Sequence, residues 1–72
     1  MVDTLSIGQK INDWRKKKRL TLKQLAQKTD LTAGYMSQVE NDKASPSIST
    51  LKKISTALGV RIIDFFSDEI VN

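Results

Sequence analysis

Between Thr21 and Asn41 the chain reads TLKQLAQKTDLTAGYMSQVEN, a stretch whose apolar spacing fits two short helices joined by a tight turn. Both helix starts are encoded locally. Thr21 is followed three residues later by Gln24, the pairing of a capping box, and Thr32 is placed to accept a backbone N–H from the first turn it opens. From Thr21, the residues Leu22, Leu25 and Ala26 share one face at helical spacing; from Thr32, the matching face is Met36 and Val39. Leu31 closes the corner between them. Ala33, Gly34, Ser37, Gln38 and Asn41 are left facing outward on the second helix, a strip of small or amide side chains with no charge. Such a strip can approach base edges in a major groove, and it has none of the groups that catalysis requires.

Composition narrows the classes further. Seventy-two residues at 39% hydrophobic content suit one small all-α domain, residues 1–72, with a modest core. The chain has no cysteine and no histidine, so disulfides, thiolate metal sites and a zinc-stapled fold are not expected, and no metal or cofactor is called for. The same absence, with no clustered carboxylates, removes the usual acids, bases and nucleophiles of an enzyme. No apolar run approaches the roughly 20 residues that span a bilayer, and the N-terminus lacks the apolar core of a signal peptide. The expectation is a soluble cytoplasmic protein without a membrane partner. The net charge is +4, and its distribution matters more than its sum: Lys10 to Lys28 holds eight basic residues against Asp13 alone. From Arg61 onward, that one cation faces Asp64, Asp68 and Glu69. One basic side and a mildly acidic end suit a polyanion on the first and something else at the second.

The remaining elements follow the same logic. Ser6 caps a first helix running to about Lys18, with Ile7, Ile11 and Trp14 inward at i, i+4 and i+7. Trp14 is therefore core. Arg15 to Arg19 is a run of five cations, readable either as a solvated helix end or as a phosphate-attracting surface. Asp42 to Pro46 is a short loop, after which Ser47 opens a fourth helix with Ile48, Leu51, Ile54 and Leu58 inward, ended by Gly59. The last segment, Arg61 to Phe66, supplies Ile62, Phe65 and Phe66 as a core lid and leaves Ile63 in surplus.

Ile7, Ile11 and Trp14, then TLKQLA, the turn, YMSQVEN, ASPSISTLKKISTALGV and IIDFF together resemble the helix-turn-helix of the XRE family, the lambda and 434 repressor and Cro type. The resemblance covers roughly Ile7 to Phe66. It implies a compact five-helix lambda-repressor-like DNA-binding domain with a central helix-turn-helix at about 21–41, acting as a regulator of transcription. The helix over 32–41 would lie in the major groove of double-stranded DNA. Thr32, Ala33, Gly34, Ser37 and Gln38 would then face bases, with the Gln38 amide able to pair bidentately with adenine N6 and N7. Ala33 can meet a thymine methyl, and Gly34 lets the backbone come close. Thr21, Lys23, Asn41, Lys43 and Ser45 would contact phosphates, as would Tyr35, whose ring can equally be partly buried. Ser45 can also serve as a turn residue. The family's pattern further implies a structural ion pair between Arg15 and Glu40, making Glu40 scaffold and not a base reader.

In three places where the family usually has glycine this chain has Arg19, Asp30 and Asp42, each expected in or near the left-handed region. Ile63 stands where the family usually has a polar residue. With Phe66, Ile70 and Val71 it can form a self-association patch, or it can be ordinary surface. A homodimer on a palindromic site is expected, because one such domain buries too little surface for tight specific binding. Such a protein would be a repressor or a restriction-modification controller. Alternatively, because ASPS resembles relatives carrying a C-terminal cupin sensor, it would be the excised DNA-binding domain of a larger regulator. A protein-interaction module of the antitoxin kind is the reading from another class.

Overall fold

The computed structural model describes residues 5–66. The helices are α1 (Ile7–Lys17), α2 (Leu22–Thr29), α3 (Ala33–Glu40) and α4 (Ile48–Leu58), followed by a 3-10 turn at Ile62–Phe65. Each α-helix begins on a hydroxyl: the side-chain oxygens of Ser6, Thr21, Thr32 and Ser47 accept from the backbone N–H of Gln9, Gln24, Tyr35 and Thr50, at 3.0–3.1 Å. Two of these are reciprocal boxes, with Gln9 Oε1 accepting from Ser6 N at 3.0 Å and Gln24 Oε1 from Thr21 N at 2.8 Å. Each cap contributes about 1 kcal/mol.

The four helix ends share one device as well. After α1, Leu20 N donates to Arg15 O and Arg19 N to Lys16 O; the same pair of bonds recurs at Leu31 and Asp30, at Lys43 and Asp42, and at Val60 and Gly59. This is the Schellman arrangement, which satisfies orphan carbonyls by turning one residue into the left-handed region. That residue is Arg19 (φ 60°), Asp30 (φ 58°), Asp42 (φ 61°) and Gly59 (φ 72°). A β-carbon makes this conformation unfavourable for Arg19 above all, since aspartate tolerates it better.

The packed interior draws on every element: Ile11 from α1, Leu25 and Ala26 from α2, Met36 and Val39 from α3, Leu51, Ile54 and Leu58 from α4, and Phe65 from the 3-10 turn. Ile7, Trp14, Leu22 and Leu31 pack around its margin. Buried polar groups are satisfied: Thr29 Oγ1 donates to the carbonyls of Leu25 and Ala26, and Ser55 Oγ to that of Lys52. Among the described residues no buried side-chain polar atom lacks a partner.

Three expectations need correction. The fifth helix is a 3-10 turn of four residues. Left-handed Gly59 ends α4, and Asp64 N then donates to Arg61 O at 2.9 Å and Phe66 N to Ile63 O at 3.0 Å, the tight i, i+3 bonds of a short connector in place of an α-helical ladder. Phe66 is not part of the core lid but 49% exposed. Residues three apart eclipse in a 3-10 turn, so Phe66 stands with exposed Ile63 while Ile62 and Phe65 face in. Ile48 is 58% exposed, not inward. At about 100° per residue it lies roughly 70° from the centre of the stripe formed by Leu51, Ile54, Ser55 and Leu58, and as the first residue of α4 it has no preceding turn beside it.

Candidate nucleic-acid interface

The helix α3 is gripped from behind and free in front. Met36 and Val39 are fully enclosed, whereas Thr32, Ala33, Gly34 and Gln38 are exposed and Ser37 is half-buried. The Gln38 amide makes no hydrogen bond within the described residues, leaving both its donor and its acceptor available. Gly34 is not a requirement of the fold, because a β-carbon built on it meets nothing within 4 Å. Thr32 is partly committed, its oxygen capping Tyr35 N at 3.0 Å. Asn41 is also tied locally, its Nδ2 donating to Ser37 O at 2.8 Å.

Behind α3, the whole length of α1 contributes to the grip. The Arg15 guanidinium meets Glu40 in a fork, Nε to Oε2 at 2.7 Å and Nη2 to Oε1 at 3.1 Å, and its Nη1 donates to Leu20 O at 2.8 Å. Asn12 Nδ2 donates to Glu40 Oε1 at 2.6 Å. The side chains of Arg15 and Glu40 are only 13% and 5% exposed, so the carboxylate at the end of α3 is spoken for and cannot face a ligand. One turn earlier, Gly8 lets the α1 backbone close on the end of α3: a β-carbon there would overlap the Val39 carbonyl oxygen and stand 3.0 Å from Glu40 O. At the N-terminus of α1, Ser6 Oγ donates to Asp42 Oδ2 at 2.6 Å.

Around the outer face of α3 lie the other residues singled out from the sequence. Thr21 and Lys23 are exposed at the start of α2, Tyr35 is half-buried, and Asn41, Lys43 and Ser45 are exposed in the segment following α3. The basic stretch divides in two. Lys16, Lys17, Lys18, Arg19, Lys23 and Lys28 are exposed, with Lys17 Nζ 4.9 Å from the Trp14 ring centre. Lys10, by contrast, is 8% exposed, and Arg15 is held by Glu40. Lys10 lies three residues after Ile7 and four before Trp14, so its stem falls on the apolar stripe, a position readable from spacing alone. Ile63 and Phe66 are exposed at the far end, while Ile70 and Val71 lie outside the described residues.

Sequence reasoning did not single out Ser6, Gly8 or Asn12 as partners of α3, since their roles depend on where α1 crosses it. Among the described residues no helix is long and apolar enough to cross a membrane, and no cluster of three potential metal ligands occurs.

Comparison with known proteins places this arrangement. The chain is 37% identical over 65 residues to the immunity repressor protein of Bacillus phage phi105, covering 90% of this chain and 45% of that protein. It is 37% identical over 65 residues to control protein C.MunI of Mycoplasma sp, covering 89% of this chain and 88% of that one. It spans about half or less of the length of the first curated relatives it matches. Among solved structures, SinR, a master regulator for biofilm formation, in complex with DNA superposes with a TM-score of 0.80 at 35% identity, over 85% of this chain and 98% of that one. The helix-turn-helix model HTH_3 matches residues 11–65, three-quarters of the sequence, and the chain belongs to that family.

Proposed function

We propose that the protein is a sequence-specific, double-stranded-DNA-binding regulator of transcription, acting as a repressor, with α3 and its flanking residues 32–41 laid in the major groove. The observation that carries this reading is the division of α3 into a locked apolar and ionic back and a free, uncharged front. The relatives support it: they include a phage immunity repressor, and the similar SinR structure contains DNA. Thr32, Ala33, Gly34, Ser37 and Gln38 face the bases in this reading. Thr21, Lys23, Tyr35, Asn41, Lys43 and Ser45 hold the sugar-phosphate backbone on either side, with the exposed cations of α1 adding attraction that ignores sequence. Self-association through Ile63 and Phe66 would place two α3 helices on half-sites about 34 Å apart, or a multiple of that.

The test is affinity for a duplex selected from a random pool, measured across salt concentration. Gln38→Ala is expected to relax preference at one base position per half-site, a loss of about 1–3 kcal/mol of discrimination. Lys23→Ala should weaken all duplexes alike and lower the salt slope by about 1. Equal loss on every duplex for Gln38→Ala would remove it as a reader, and wild-type affinity indifferent to salt would point instead to a protein partner. Gly34→Ala separates fold from interface. It should raise stability by up to about 1 kcal/mol, because nothing obstructs the methyl and helix propensity improves. At the same time it should weaken the selected duplex, where the missing side chain admits a close approach; unchanged affinity with raised melting temperature would make Gly34 a bystander.

A further inference from the structure

Asp42 is a negative charge in an awkward place. It is the second residue after α3, between Asn41 and Lys43, in the segment that the proposed reading turns toward phosphates. A carboxylate there, left to itself, repels the DNA backbone. In the structure it is turned back onto α1. Ser6 Oγ donates to Asp42 Oδ2 at 2.6 Å, and Asp42 Oδ1 lies 2.7 Å from the position a Gly8 β-carbon would take. Both contacts put the carboxylate at the first turn of α1, where the helix macrodipole and the unpaired N–H groups favour negative charge. Gly8 has no side chain to obstruct it. The backbone of Asp42 is left-handed, φ 61°.

We propose that Ser6 and Asp42 form an electrostatic latch that withdraws the carboxylate from the DNA-facing surface, so that Ser6, some distance in sequence from any reader, sets affinity for the phosphate backbone. Both are positioning residues: neither touches a base. The inference rests on the DNA-binding reading above. Ser6 has two tasks that can be separated, since it also caps α1 by accepting from Gln9 N at 3.1 Å. Glycine is nearly as good an N-cap as serine and cannot donate to Asp42. Ser6→Gly therefore opens the latch with little loss of the cap, and Asp42→Gly removes the carboxylate itself while fitting the left-handed backbone.

The experiment is a cycle of four proteins, wild type, Ser6→Gly, Asp42→Gly and the double variant, with affinity for one selected duplex measured at low and high salt and thermal melting alongside. Ser6→Gly alone should weaken binding at low salt on the order of fivefold, the scale of one unit-charge repulsion across several ångströms of hydrated surface, and the difference should shrink as salt screens it. In the Asp42→Gly background the same change should have no effect on affinity, and Ser6→Thr, which keeps the hydroxyl, should bind as wild type does. Additive losses, or a Ser6→Gly loss that persists at high salt, overturn the latch while leaving the DNA-binding reading intact. No binding by the wild type at any salt overturns both.

Discussion

Arg15→Ala is expected to remove a large share of the protein's stability. The Glu40 side chain, 5% exposed in the intact pair, loses its guanidinium partner and retains only the Asn12 amide, and Leu20 O is stripped of a donor. Breaking one side of a buried pair costs about 3–5 kcal/mol. At about 0.05–0.15 kcal/mol per residue, a chain of 72 residues has roughly 4–11 kcal/mol in all, so the variant should melt far below the wild type or be unfolded at room temperature. Glu40 aggravates the effect because it ends α3, where the helix dipole disfavours an anion. Removing both charges should be much milder: Arg15→Met with Glu40→Leu replaces the pair by apolar volume and should recover most of the lost stability in a thermal melt. A single variant as stable as the wild type would show that the pair does not hold α1 to α3.

Gly8→Ala should be the other large effect, and for a different reason. Here the obstruction is backbone, not a flexible side chain: the added methyl would overlap Val39 O and approach Glu40 O to 3.0 Å and Asp42 Oδ1 to 2.7 Å. Neither carbonyl can move without moving the end of α3. Overpacking of this kind typically costs 1–3 kcal/mol. The more telling readout is DNA affinity at a temperature where the variant remains folded. Because the whole of α3 must shift relative to α1, the base-facing strip and the phosphate-facing loop are displaced together, and affinity should fall by about tenfold or more, the equivalent of about 1.4 kcal/mol. Melting and binding both at wild-type levels would mean that α1 tolerates a wider separation.

What could be read from the sequence was mostly what is local. Helix starts were legible because a hydroxyl three residues ahead of the N–H it accepts is a pattern within four positions, and Ser6, Thr21, Thr32 and Ser47 all cap as that pattern requires. The left-handed helix ends at Arg19, Asp30 and Asp42 came from resemblance, since neither arginine nor aspartate advertises positive φ as glycine does. The errors lie where an element runs out. Ile48 keeps the helical spacing of the core stripe, but at the first position of α4 spacing alone does not reveal that the stripe has not yet begun. Phe66 was grouped with Ile62 and Phe65 as a core lid, whereas the i, i+3 eclipse of a 3-10 turn puts it beside Ile63. For the candidate site, the exposure of Ala33, Gly34 and Gln38 could be read from periodicity, with half-buried Ser37 beside them, but the grip behind could not. Ser6 to Asp42 spans 36 residues, and Asn12 to Glu40 spans 28. Contacts of that range follow from how α1 crosses α3, which no local pattern records.

The most direct test of a groove-reading α3 is the backbone amide spectrum of the protein titrated with its selected duplex. The shifts should concentrate on residues 32–38, with a second set at Thr21 to Lys23 and at Asn41 to Ser45, while the amides of Ile63 and Phe66 respond only to self-association. Shifts centred on the α4 surface or the 3-10 turn, with Ser37 and Gln38 unmoved, would contradict it.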